Sequence, residues 1–498
     1  MGSGTGGTVT CGFNEENGYA DSKNLPLCLP SSRDDCSGGC FFLTLFLHLP
    51  FAIFDAFGEQ DAARIAREVQ YGATAGKMVL KNGRQFSVPM YAHLLSLSLR
   101  AGLISANQII FTMALMSVLF SSLFSAVFFV FVHSISGTLF TAGITTLLVQ
   151  VCPFFWLSSL YGFPTIVALG VFMVSVVVFQ SALPRATLKR PAGIVVATLL
   201  FFAAVMCKTD MVTAAPLLCL PVWLSGRSFS SKAAWTLGIL LTAIAAFLLM
   251  NQYGAWITHQ ENIKSSWSDW TNRFFGGLAL LRKFRNVEII SRAAGAVSIP
   301  LAFLGALLAL RIRSYRPIVW WTLLTVTPIA VFWSMMGGNS ARHNLIPAVF
   351  VTILIGLPTA FLPKWWKRGW CLVIAVACVV NYFWWPPTSS TVKPSGRLLE
   401  SAMEFKTEVR GRALKAREIT RLPYDKILVV VPETLLPTYT FELLAADHLE
   451  FLKKGGGKYI VREKDTMAEK VFFFPGSDKR RKALRTAQKE GFHIVGDR

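Results

Sequence analysis

Charge is scarce in this chain: only 15% of its 498 residues are Asp, Glu, Lys or Arg, while 53% are hydrophobic. A soluble globular protein carries about 25% charged residues, so this balance excludes that class and indicates an integral membrane protein. Acidic residues are the scarcer sign, 28 against 49 basic ones, for a formal charge of +21. In a soluble chain that excess would suggest nucleic acid. Here many of the basic residues lie in short segments between apolar runs, where orientation in a bilayer accounts for them and nucleic-acid binding is not expected. No disulfide framework is implied either: of nine cysteines, Cys152, Cys207, Cys219, Cys371 and Cys378 lie inside apolar stretches, where a thiol acts as a small hydrophobe. Cys36 and Cys40 make half of a metal-site pattern, without a second tight pair. No apolar segment opens the chain. Residues 1–39 are rich in Gly, Ser, Asn and Asp, too polar for a signal peptide, and are expected to form a disordered cytoplasmic tail.

What is present is a succession of apolar runs, each near the roughly 20 residues that a bilayer core of about 30 Å requires. They fall near 40–57, 109–132, 138–157, 163–180, 191–207, 211–224, 233–253, 293–310, 317–335, 345–362 and 370–385, which predicts about eleven transmembrane helices. Sidedness follows from the connections. Those after even-numbered runs hold Arg185, Lys189, Arg190, Arg227, Lys232, Arg311, Arg313, Arg316, Lys364, Lys367 and Arg368. The short odd-numbered ones hold only Lys208 and Arg342. Basic residues accumulate in short cytoplasmic loops, so the amino terminus is expected in the cytoplasm and the odd-numbered ends outside. Residues 40–387 then form the transmembrane domain, with external loops at 58–107 and 254–292, followed by an external domain at 388–498.

The last domain reads as a small α/β unit. Strand-like runs occur at 427–431, 458–461, 471–474 and 493–495, and helical patterns at 438–454 and 478–491. The GGG at 455–457, between a predicted helix and a predicted strand, reads as a helix stop rather than a phosphate loop.

Chemistry is sought at the external membrane edge. In FGEQDAARIAREVQYG (57–72), Glu59 and Asp61 stand at the exit of the first run, before a helical pattern in which Ile65 and Val69 share a face and Arg64 and Glu68 pair on another. Asp61 by itself reads as a helix cap that accepts a backbone N–H. Its placement beside the bilayer also suits a base that takes a proton from a hydroxyl while a lipid-borne partner lies alongside. Glu59 is a second candidate acid or metal ligand. Lys208 and Asp210, in MCKTDM, and Arg342 and His343, in GGNSARHNLIP, bring cations to other external ends. Singly such groups snorkel toward lipid headgroups; clustered near a carboxylate they would bind a phosphate.

Several of these stretches, in this order, resemble the GT-C superfamily of membrane glycosyltransferases, of the protein O-mannosyltransferase and aminoarabinose-transferase type. QDAARIAREV (60–69) is similar to the family's Asp-Glu-x-Arg-Tyr-Ala stretch after the first helix, and VPMYAHLLSLSLRAG (88–102) to its Pro-x-Tyr segment. LYGFPTIVAL (160–169), CKTDMVTAAPLL (207–218) and ARHNLIPAVF (341–350) resemble its Tyr-x-x-Pro, Lys-Thr and Arg-Tyr-x-x-Pro segments. The likeness extends over about residues 40–385. It implies a GT-C-like helical membrane fold and transfer of a sugar from a polyprenyl-phosphate donor, with inversion, to a lipid, glycan or protein acceptor on the external face. Asp61 would activate the acceptor; Arg64, Lys208, Asp210, Arg342 and His343 are the substrate-binding candidates. Ala62 stands where the family has Glu, so a two-acid site, and any divalent cation held by it, stays open. Tyr91 and His93 are expected to be structural. A multi-pass transporter or lipid flippase is the alternative, but carriers usually place ionisable groups within the membrane, and these runs hold almost none besides Asp55. The expected location is the cell (inner) membrane, with the endoplasmic reticulum membrane as the alternative.

Overall fold

The computed structural model describes residues 32–54, 60–75, 89–105, 108–160, 162–183, 189–258, 294–295, 297–335 and 344–383. Beyond these it describes the strands of a C-terminal sheet and single residues at 403, 406, 407, 410, 411, 414, 418 and 489. The side chains of Asp61, Arg64 and Arg67, and those of the strands, are not among those described.

All eleven apolar runs carry helix. The first is α1 (Ser32–His48), which begins within the stretch expected to be disordered. Two helices between the first and second runs follow, α2 (Gln60–Ala75) and α3 (Pro89–Arg100). The second to fourth runs hold α4 (Ile109–Ser136), α5 (Leu139–Gln150), α6 (Pro153–Leu160) and α7 (Pro164–Ala182). The fifth is α8 (Lys189–Cys207); the sixth is a 3₁₀ turn (Thr209–Ala214) leading into α9 (Pro216–Leu224); the seventh is α10 (Phe229–Thr258). Then come α11 (Ser298–Leu310), α12 (Arg316–Met335), α13 (Leu345–Gly356) with the short α14 (Pro358–Phe361), and α15 (Lys364–Phe383).

Among the described residues, α4, α7 and α10 are by length and composition long and apolar enough to cross a membrane. The third run, expected as one span, bends by 65° between α5 and α6. Pro153 explains the break: it has no N–H for the preceding turn and pushes Cys152 out of helical geometry. On α10, Leu237, Leu241, Ile244 and Leu248 are each more than half exposed, an apolar stripe that suits lipid and not water.

Inside the bundle a relay of aromatic rings joins five helices. Phe124 stacks on Phe128 at 5.2 Å and meets Phe155 at 5.5 Å; Phe350 bridges Phe128 and Phe172, and Phe172 meets Phe201. Such pairs contribute about 0.5–1.5 kcal/mol each beyond the area they bury. Close approach of α11 and α13 depends on glycine: a Cβ at Gly305 would collide with the Leu354 carbonyl. This is the small-residue packing by which helices associate where water supplies no driving force.

Contacts between helix ends sort into two faces. The Ile53 N–H donates to the Leu160 carbonyl at 2.9 Å, the Lys406 ammonium to the Pro50 carbonyl at 2.8 Å, and the Thr209 hydroxyl to the Met250 sulfur at 3.1 Å. These join the ends of runs one, three, five and seven and the chain after run eleven. On the other face the Arg227 guanidinium donates to the Leu183 carbonyl at 3.0 Å, the Thr141 and Thr359 hydroxyls meet at 2.8 Å, and the Tyr315 and Phe361 rings lie 5.1 Å apart. All of those residues border even-numbered connections. Odd ends meet odd ends and even ends meet even ends, as alternating passage requires.

Beyond residue 400 the strands are β1 (Ile427–Val430), β2 (Leu449–Lys454), β3 (Lys458–Glu463), β4 (Glu469–Phe473) and β5 (His493–Gly496), in the order β2-β3-β4-β1-β5. β1 runs parallel to β4 and β5, and β2, β3 and β4 pair antiparallel. Residues 449–454, expected to close a helix, are strand: β2 and β3 pair antiparallel across the position of the GGG.

Candidate active site

The face gathered by the odd-numbered ends is built around α2 and α3. α2 packs on α3, which in turn packs on α8 and α10. The inner side of α2 is broad, with Ala62, Ile65, Ala66, Glu68, Val69 and Gly72 all buried. Glu68, read from its spacing as pairing with Arg64, is 3% exposed, within the packing of α2 against its neighbours. Asp61 is the second residue of α2, one position inside the helix rather than ahead of it. An acidic residue in the first turn is favoured by the partial positive charge of the helix start.

From α3, Tyr91 is buried against the end of α8. Burial pushes its phenol well above the usual tyrosine range, and the Cys207 thiol adds to the shift. His93, half-buried, shares a hydrogen bond through Nδ1 with the Tyr253 hydroxyl of α10. The Trp256 ring stands 6.1 Å from His93 and 5.8 Å from Tyr253. Partial burial first, and Arg100 second, hold the His93 imidazole below its ordinary pKa, so it is neutral near pH 7.

Lys208 directly follows α8. Its backbone N–H continues the helix ladder to the Ala204 carbonyl at 2.9 Å. Its ammonium lies 3.6 Å from Asp210 Oδ2, and both side chains are about nine-tenths buried. An ammonium carries three donors, of which one carboxylate at that separation engages at most one. The remainder can serve an anion arriving at this face. The 3₁₀ turn that carries Asp210 packs on α8, α10 and α12, and the Thr213 hydroxyl donates to the Asp210 carbonyl at 2.6 Å.

Of the residues singled out from sequence, the structure brings α2, Lys208 and Asp210 onto one face, with α3 as the connecting element. Asp61 and Arg64 are placed there by their backbone alone. Glu59, Arg342 and His343 lie outside the described residues; Asn344, which follows them, is fully buried at the start of α13. Among the described residues no group of three or more His, Cys, Asp or Glu is placed to hold a metal ion. Sequence reading missed Tyr253 and Trp256, whose i, i+3 spacing at the end of an apolar run was the available signal, and the burial of Glu68.

No protein-family model matches the chain, and no curated protein matches it by sequence. Solved structures do. ArnT from Cupriavidus metallidurans bound to undecaprenyl phosphate aligns with a TM-score of 0.54 at 14% identity, over 83% of this chain and 85% of that one. The same protein in its apo state aligns with a TM-score of 0.52 at 15% identity, over 83% of each. The chain has the ArnT fold.

Proposed function

We propose that this chain, sharing its fold with a protein solved in complex with undecaprenyl phosphate, is an inverting glycosyltransferase that uses a polyprenyl-phosphate sugar at the external face of the membrane. The observation that carries this reading is the assembly of α2, α3, Lys208 and Asp210 on the face of the odd-numbered helix ends. The charge asymmetry of the connections supports reading that face as the external one.

The acceptor hydroxyl oxygen attacks the anomeric carbon from the side opposite the phosphate. The sugar–phosphate bond breaks, its electron pair leaves with the phosphate, and the hydroxyl proton passes to Asp61. General-base assistance of this kind contributes about 10²–10⁴ in rate. Lys208, oriented by Asp210, stabilises the departing phosphate together with Arg64, Arg342 and His343, since charge-assisted donors strengthen as negative charge develops. Glu59 is a second acid at the same edge. A divalent cation has no assigned place in these steps. The C-terminal strands belong to an external α/β domain, and the protein resides in the cell membrane with its amino terminus in the cytoplasm.

The bend between α5 and α6 favours a second reading, because broken spans occur in transporters. One experiment separates the two. Purified protein is incubated with a panel of polyprenyl-phosphate sugars and acceptors; a transferase releases free polyprenyl phosphate and makes a glycosylated acceptor. A flippase in vesicles moves the intact lipid and releases nothing. Absence of release across the panel would count against the transferase.

A further inference from the structure

The break between α5 and α6 holds polar groups that the proposed chemistry does not use. His48, the last residue of α1, is fully buried, with its ring 4.6 Å from Trp156 and 5.8 Å from Phe155. Its Nδ1 lies 3.3 Å from the Ser121 hydroxyl of α4. That hydroxyl gives its one hydrogen to the Val118 carbonyl at 2.8 Å, so it accepts from His48, and Nδ1 carries the proton. In a neutral imidazole Nε2 is then a bare acceptor.

One turn further along α4 the pattern repeats. The Ser125 hydroxyl donates to the Ser121 carbonyl at 2.9 Å and accepts from Gln150 Nε2 at 2.7 Å, leaving Gln150 Oε1 as an acceptor. The Trp156 indole N–H donates to the Gln150 backbone carbonyl, closing a circuit through His48, Ser121, Ser125, Gln150 and Trp156. His48 Nε2 and Gln150 Oε1 are both buried and have no hydrogen-bond partner among the described residues.

Two acceptors cannot satisfy each other; one group shared by both would donate twice. Their anchoring serines are one helical turn apart, which separates side chains by about 5–6 Å. That is the reach of one small molecule donating two hydrogen bonds of about 2.8 Å each. A cation would lose several kcal/mol of hydration among these aromatic rings, and two neutral acceptors do not offset that. A water molecule has the two donors and no charge, and buried waters typically make about three such bonds.

We propose that the break in the third run is a binding site for one structural water, donating to His48 Nε2 and Gln150 Oε1. The site ties α1 to α4, α5 and α6 shortly before α2 in the chain. It stands independently of the transferase reading.

Two measurements on the full-length protein test it. In protein labelled with ¹⁵N-histidine, His48 should show a protonated Nδ1, an unprotonated Nε2 and magnetisation transfer from water. A protonated Nε2 would overturn the site. In a thermal-stability cycle with His48→Phe, Gln150→Leu and the double variant, either single change removes the shared water. The double variant should therefore lose no more than the worse single; strictly additive losses would also overturn it. The labelling experiment needs no variant and decides the matter if a substitution prevents folding.

Discussion

Lys208 and Asp210 form an ion pair at 3.6 Å with both side chains about nine-tenths buried, at the point where α8 ends and the 3₁₀ turn begins. Removing one partner of a buried pair strands the other charge at a cost of up to about 3–5 kcal/mol, whereas removing both relieves most of that cost. We expect Lys208→Met and Asp210→Asn each to lower thermal stability, and Lys208→Met with Asp210→Leu to recover much of it. Sugar transfer, if Lys208 meets the phosphate, should stay low in the stable double variant. Recovered stability with parental turnover would remove Lys208 from the site.

The His93–Tyr253 hydrogen bond ties α3 to α10. Because the folded-state pKa of His93 is lowered, the unfolded chain binds its proton first as pH falls. This contribution to stability is therefore present above the ordinary histidine pKa of about 6.5 and lost on acidification from there through the lowered folded value. Unfolding temperatures measured from pH 8 downward should fall less steeply in His93→Gln than in the parent. Tyr253→Phe should cost about 1 kcal/mol at neutral pH through the lost hydrogen bond.

Gly305 lies where any side chain would meet the Leu354 carbonyl of α13, and Gly356 where one would meet the Thr145 hydroxyl of α5. Overpacking of this kind costs about 1–3 kcal/mol or more. Gly305→Val should lower the unfolding temperature and the monodisperse yield, while Gly238→Ala, on the open side of α10, should leave both unchanged.

The two-face arrangement has a direct readout. With native reactive cysteines replaced, Leu103→Cys, in the turn that follows α3, should react with a membrane-impermeant maleimide in intact cells. Arg313→Cys, in an even-numbered connection, should react only after permeabilisation. Both residues are exposed in the fold. The opposite pattern would turn the molecule over and remove the site from the external side.

Long apolar runs and the charges between them carried most of this architecture in the sequence, because membrane insertion responds to those same quantities. Local patterns told less where packing decides the outcome. Pro153 announced the break in the third run, yet mean apolarity masked it. LEFLKK at 449–454 reads as helix from composition, but pairing with 458–463 makes it strand. The polar stretch before Cys40 looked structureless although it begins α1. At the candidate site, the order of motifs singled out α2, Lys208 and Asp210. Spacing had no means of showing that Glu68 is buried or that His93 reaches Tyr253, since both depend on helices far apart in the chain.

The most direct measurement compares Asp61→Asn with the parent for release of polyprenyl phosphate, using full-length protein whose folding and donor binding have been verified. We expect turnover to fall by about 10²–10⁴ with donor binding retained. A well-folded Asp61→Asn protein that transfers sugar at the parental rate would contradict the assignment of the base, and with it the placement of the chemistry at the start of α2.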